Sequence, residues 1–281
     1  MLKQRVVTAV WLLLILIPTL FYPAPEPFIG LAMLMVGAAG WEWGRLNGLA
    51  STGSLGLGLA TVLTCALVGW MGWVHHAPLL LWLVGSSIWV LGGSWLLISG
   101  ADGWRKLPRD LRLVLGLTVL VLAWLALAQA RRLGVNFLLS LLVLVWVADI
   151  FAYFAGRAFG RRKLAPAISP GKSWEGVWGA MAGVVVLSIA WTMADRQWAA
   201  EVPSLYSQLA AKGQVLLWLS LVYLVAMSVI GDLIESLVKR SAGVKDSSGL
   251  LPGHGGVLDR IDALLPTLPA GLMLVSLGGM S

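Results

Sequence analysis

Long apolar stretches, interrupted by short polar ones, run through the whole chain. They fall at roughly 6–22, 27–41, 55–74, 78–98, 112–130, 135–156, 175–194, 214–236 and 262–280. A helix of about twenty apolar residues crosses a bilayer core, so the pattern predicts nine transmembrane helices, the first two short. Lys3 and Arg5 precede the first run as they would in a signal peptide. No small-x-small cleavage site follows, and "YPAPEP" reads as a turn-rich loop, so a retained first helix is expected. The expected fold is all-α: a polytopic integral membrane protein of about nine transmembrane helices with no separate soluble domain. Helices 1–5 occupy residues 1–134 and helices 6–9 residues 135–281, in one membrane-embedded unit.

Composition agrees with the pattern. Of the 281 residues 59% are hydrophobic and only 12% charged, against roughly a quarter charged in soluble domains. Of the 16 Trp, Trp41, Trp43, Trp104, Trp174 and Trp198 stand at run ends, where interfacial anchors are expected. Trp82, Trp89 and Trp124 lie inside runs, where packing or lipid contact accounts for them. Cys65 is the single cysteine, which excludes an intramolecular disulfide and a cysteine metal cluster.

The formal net charge of +7 would suggest nucleic acid in a soluble protein. Here a positive-inside bias and a site for anionic ligands account for it, and no nucleic-acid partner is expected. With the N-terminus in the cytoplasm and nine alternating spans, sixteen of the 20 Lys and Arg fall on the cytoplasmic side and four outside. The inverted topology reverses the ratio, so a cytoplasmic N-terminus is expected. Segments 157–174 and 237–261 then face the cytoplasm.

The eighth run ends "SVIGDLIESLVKRSAGVKD". Asp232, Glu235, Ser236 and Lys239 are spaced to share one helical stripe. Acids at the membrane edge are costly unless solvated or liganded. "KDSSGLLPGHGGVLDRID" (245–262) follows. Its glycines allow positive φ and close backbone approach, and consecutive amides can cradle an anion. Lys239, Arg240, Lys245 and Arg260 are donors suited to phosphate. Asp259 and Asp262 share a face if the ninth helix begins near them, and carboxylates beside cations suggest Mg²⁺ bridging phosphate oxygens. His254 could be a ligand, a base or a turn residue.

The other segment reads "ADIFAYFAGRAFGRRKLAPAISPGKSWEG". Asp149 and Tyr153 stand one turn apart, followed by Arg157, Arg161, Arg162 and Lys163. "SPGKS" lacks the upstream glycine and preceding strand of a nucleotide loop, and Ser173 suits a helix N-cap. Lys172 beside that helix start could hold phosphate. His75–His76 has no third ligand and reads as a loop. The residues alone indicate a cytoplasm-facing metal-and-phosphate site, compatible with phosphoryl or nucleotidyl transfer to a lipid or with anion transport.

Residues 236–262, "SLVKRSAGVKDSSGLLPGHGGVLDRID", resemble the signature of the phosphatidate cytidylyltransferase (CDP-diacylglycerol synthase) family. All twelve fixed positions are met: Ser236, Lys239, Arg240, Lys245, Asp246, Pro252, His254, Gly255, Gly256, Asp259, Arg260 and Asp262. "GDLIES" and "GRAFGRRKLAPAISPGKSWEG" are also similar to family segments. The resemblance implies Mg²⁺-dependent reaction of CTP with phosphatidate, giving CDP-diacylglycerol and pyrophosphate at the bacterial inner membrane. It implies Asp232 and Asp259 as metal ligands, with K⁺ alongside, and Asp262 and Asp246 as weaker candidates. Lys239, Arg240, Lys245 and Arg260 would contact phosphates; Gly255 and Gly256 would let amides approach them. Arg157, Lys172, Ser173 and Ser236 complete the expected substrate-binding set, and His254 and Asp246 the catalytic one. A homodimer is one assembly left open.

Two other activities remain in view. A CTP-dependent lipid-alcohol kinase would release CDP rather than pyrophosphate. A transporter of anionic substrates would place its charges near the midplane, commonly within inverted repeats; here they cluster at one face. The D-x-x-D-G-x-x-A-R run of CDP-alcohol phosphatidyltransferases does not occur.

Overall fold

The computed structural model describes residues 2–277; residues 278–280 of the ninth apolar run, and the side chains of Lys3 and Arg5, lie outside what is described. Each of the nine runs forms helix. The first three are α1 (Leu2–Phe21), α2 (Glu26–Leu46) and α3 (Ser51–Trp70). The fourth is a continuous length made of α4 (Leu79–Ser87), a π-helical turn (Ile88–Gly93) and α5 (Ser94–Lys106). It bends at Gly100, whose φ of +67° only glycine adopts readily. Then come α6 (Arg109–Leu133), α7 (Val135–Phe159), α8 (Trp174–Gln197), the short α9 (Leu205–Lys212), α10 (Gln214–Ser241), the single turn α11 (Leu258–Ile261) and α12 (Leu264–Ser276).

Six of these lengths are long and apolar enough to cross a membrane: α3, α4 through α5, α6, α7, α8 and α10. Six of the expected nine crossings are therefore shown among the described residues, and the other three are not confirmed by length and hydropathy. The apolar part of α1 spans only Val6–Phe21, α12 has 13 residues, and α2 carries Glu26, Glu42 and Arg45. The all-α expectation also needs one correction. Strands β1 (Lys163–Ala165) and β2 (Ser169–Ser173) pair antiparallel between α7 and α8, so "SPGKS" is a strand rather than a loop. Ser173 caps α8, its hydroxyl accepting from the Gly176 amide at 3.2 Å.

Two of the expected interfacial tryptophans belong to the core instead. Trp43 and Trp104 are buried and meet edge to face at 5.6 Å between ring centres. Each indole N–H has a partner, Arg112 O for Trp43 and Asn47 Oδ1 for Trp104. A buried indole needs such an acceptor, and α6 and the residue capping α2 supply them. Trp174 and Trp198 are exposed, as anchors would be, and Trp82, Trp89 and Trp124 are buried.

Without a strong hydrophobic drive between helices in lipid, close packing of small residues does the work. α7 and α8 meet through Gly176, Gly179 and Gly183. A Cβ on Gly179 would lie 2.9 Å from Phe151 O and overlap the Ala155 methyl. α10 is central, touching α5, α7, α8, α9, α11 and α12.

Gly179→Ala should therefore push α8 off α7 and cost about 1–3 kcal/mol, as overpacking does. A fall in unfolding temperature in detergent measures it; an unchanged temperature would show the interface to be loose.

Candidate active site

The predicted stripe exists on α10. Ser236 Oγ donates to Asp232 Oδ1 at 3.3 Å. One turn on, the Lys239 ammonium lies 2.5 Å from Glu235 Oε2 and 2.6 Å from Asp259 Oδ1. The Glu235 side chain is 3% exposed and that of Asp259 7%, so one cation serves two buried carboxylates. Among the described residues the Lys239 ammonium is the one polar group that meets the buried Glu235 oxygens.

Asp259 is clasped on its other oxygen. Oδ2 accepts from Ser247 N at 2.9 Å, Ser247 Oγ at 2.8 Å and Gly256 N at 2.7 Å. Burial pushes this carboxyl up, but the Lys239 ammonium and these donors outweigh it and hold the pKa at about 2. Gly253 and Gly255 adopt φ of +77° and +81°. Gly256 is needed for a different reason: a Cβ there would overlap the Ser247 hydroxyl and the carboxylate of Glu42. The loop amides thus cradle carboxylates of the chain itself. Arg260 Nε donates back to His254 O at 2.9 Å, and His254 Nδ1 is buried without a hydrogen bond.

Glu42, on α2, is fully buried. Its Oε1 accepts from Ser248 Oγ and, at 2.9 Å, from Val257 N. Its Oε2 accepts from Ser247 Oγ at 3.2 Å and Leu258 N at 2.7 Å. Sequence reasoning missed Glu42 together with Ser247 and Ser248. The available signal was a lone acid in "GWEWG", at the end of an apolar run, where it passes for an interfacial residue.

Beside the clasp, α7, α8, β2 and α10 enclose a cavity of about 410 Å³. Asp149, Tyr153, Arg157, Lys172, Ser173 and Asp232 are among its polar lining residues; Ala148, Val177, Ala180 and Val229 are among its apolar walls. Lys172 Nζ lies 2.6 Å from Asp232 Oδ2, joining hairpin to helix. Arg157 Nη1 approaches Tyr153 OH at 3.4 Å. Asp262 is drawn close because Gly231 on α10 has no side chain: a Cβ there would run into Asp262 O and the Pro266 ring.

Of the residues expected from sequence, the structure gathers Arg157, Lys172, Ser173 and Asp232 around the cavity. Ser236 and Asp262 lie next to Asp232. Lys239, Gly255, Gly256 and Asp259 build the clasp, and Arg260 and His254 bond to each other in the same loop. Arg240 Nε reaches Ile168 O in the hairpin turn at 3.5 Å. Lys245 and Asp246 are not drawn in; both are exposed. Arg161 and Arg162 turn their amides to Glu175, lining a separate cavity of about 430 Å³.

A cation-and-carboxylate site at the ends of apolar helices is the kind of centre a phosphate-handling membrane enzyme needs. The model of the cytidylyltransferase family matches residues 3–277, and the chain belongs to that family. Its relatives include a phosphatidate cytidylyltransferase of Pseudomonas aeruginosa, 37% identical over 290 residues, covering 99% of this chain and 98% of that protein. One of Haemophilus influenzae is 38% identical over 291 residues, covering 96% of each. A Bacillus subtilis protein of the same name is 38% identical over 144 residues, about half of each chain.

Lys239→Met leaves Glu235 and Asp259 buried without a counter-charge and should cost about 3–5 kcal/mol, read as a lowered unfolding temperature. The pH dependence has a fixed sign. Because the folded pKa of Asp259 lies near 2, below the ordinary ~3.9, its contribution is fully present above about pH 4. It is lost as pH falls through about 2. Unfolding temperature scanned across that window should drop for the wild type and lose this component in Asp259→Asn.

Proposed function

We propose that this protein transfers a cytidylyl group from CTP to phosphatidate, giving CDP-diacylglycerol and pyrophosphate for phospholipid synthesis. The observation that carries the reading is the junction of its two basic segments: Lys172 of the hairpin pairs with Asp232, on the same stripe of α10 as the Lys239–Asp259 clasp. Family membership and the printed name of the Pseudomonas relative support it.

In the reaction an oxygen of the lipid phosphate attacks the α-phosphorus of CTP. That P–O bond forms as the bond to the β-phosphate's bridging oxygen breaks, and pyrophosphate leaves. The nucleophile is competent already, so the barrier is alignment and the repulsion of two polyanions. Lys172, Arg157 and Ser173 hold one phosphate group from the cavity side. Lys239, Arg240 and Arg260 face the other from the loop side and steady the leaving pyrophosphate, and the exposed Lys245 would have to swing in to join them.

The donor set suits a hard divalent cation. Asp149 and Asp232 line the cavity and Asp262 lies beside Asp232, which gives the oxygen ligands such a cation takes. Among the described residues no three His, Cys, Asp or Glu form a ready-made cage. Mg²⁺ commonly takes one or two carboxylates and completes its shell with water and substrate phosphates. Asp232, Asp259 and Asp262 are the residues that would hold it, with K⁺ alongside; it would neutralise charge on the triphosphate.

We place the site at the cytoplasmic face of a bacterial inner membrane, with the N-terminus inside and nine crossings in all. The sixteen-to-four division of Lys and Arg supports this orientation, and the relatives named above are bacterial.

Radiolabelled CTP given to purified protein in detergent with Mg²⁺ should enter a chloroform-soluble product only when phosphatidate is present. Asp232→Asn and Asp259→Asn should each lower turnover by about a hundredfold or more while the protein stays inserted. Near-normal turnover in either variant would remove that residue from the metal site. Lys172→Met should raise the KM of one substrate by about tenfold; unchanged constants would take Lys172 out of the binding set.

A further inference from the structure

Glu42 stands apart from the cavity, and α2 contributes no residue to its lining. Yet its carboxylate is fully buried, makes no ion pair among the described residues, and has four donors around two oxygens. A carboxylate offers about four acceptor positions; three are filled outright, and the fourth shares the single Ser247 hydroxyl proton with Asp259 Oδ2. Glutamine would bury more cheaply. It would fill only half of these positions, however, and turn an NH₂ group against two of the donors.

All four donors belong to one stretch, Ser247, Ser248, Val257 and Leu258, and that stretch also builds the clasp. Ser247 Oγ lies within hydrogen-bonding distance of both Glu42 Oε2 and Asp259 Oδ2. Gly256, whose amide donates to Asp259, packs directly on the Glu42 carboxylate. Asp259 in turn holds the Lys239 ammonium. A continuous chain of contacts therefore runs Glu42, Ser247, Asp259, Lys239.

The far end of that chain is rigid. The residue after Glu42, Trp43, is fixed by its hydrogen bond to Arg112 O and by the Trp104 ring, and Asn47 ties the same helix end to Trp104 Nε1. A group held this way can fix a loop to within the tolerance that phosphoryl chemistry requires.

We propose that Glu42 is a positioning residue: from α2 it sets the loop so that Asp259 and Lys239 meet the reacting phosphates. This rests on the cytidylyl-transfer reading and adds the N-terminal helices to its machinery. Glu42 touches no substrate itself; it acts through Ser247 and Asp259.

The test is a double-mutant cycle of Glu42→Gln and Ser247→Ala on purified full-length protein in detergent, with CTP and phosphatidate as substrates. Each single change should lower kcat by about tenfold or more. The double variant should fall no further than about threefold below the worse single, because both break one chain. Losses that multiply would overturn the proposal, since a variant that merely reduces the folded fraction gives independent factors. Hydrogen exchange read on the same proteins needs no turnover. Glu42→Gln should speed exchange at the amides of Ser247, Gly256, Val257 and Leu258 while α10 stays protected, and unchanged loop protection would overturn the proposal as well. Should Glu42→Gln not accumulate folded, Ser248→Ala carries both readouts, with a smaller loss of kcat and faster exchange at Val257; wild-type values there overturn it. Absent conversion by the wild type would instead overturn the cytidylyl-transfer reading, leaving the exchange result to judge Glu42.

Discussion

The Lys239 ammonium lies between Glu235 and Asp259 where little water reaches, and charges in such surroundings hold only when geometry matches each of them. Removing a charge from water costs several kcal/mol, and only close opposite charge with further hydrogen bonds offsets it. Asp259 meets that condition, with its ammonium on one oxygen and Ser247 and Gly256 on the other. Glu235 does not, since among the described residues only that same ammonium meets its oxygens.

α10 is what allows a membrane fold to assemble such a centre. Its stripe presents Asp232 to the cavity and Lys239 to the clasp, less than two helical turns apart. The elements around it come close because small residues let them: Gly231 admits the backbone of Asp262, and the glycine face of α8 admits α7. Polar groups then stand at the helix ends, and apolar surface remains for the bilayer. An enzyme joining a lipid phosphate to a water-soluble nucleotide needs both surfaces within one site.

Much of this was legible in the chain. The apolar runs located every long helix, because a helix that crosses lipid has to be apolar over its length. The spacing of Asp232, Glu235, Ser236 and Lys239 put them on one face, and the structure keeps them there. What escaped was of two kinds. The β1–β2 hairpin is short, and "SPGKS" resembles a turn in any reading based on Pro and Gly. Glu42 acts over more than two hundred residues of sequence, and no local pattern records such a partner. Trp43 and Trp104 were misplaced for a related reason: position at a run end marks an interface only when no neighbouring helix covers the ring.

The most direct measurement is phosphorus accounting by ³¹P NMR on the purified protein in detergent micelles with CTP and phosphatidate. The account predicts that pyrophosphate and CDP-diacylglycerol appear in equal amounts as both substrates decline, with no sealed vesicle required. Release of CDP with a newly phosphorylated lipid, or no change in any resonance while the protein remains folded, would contradict it.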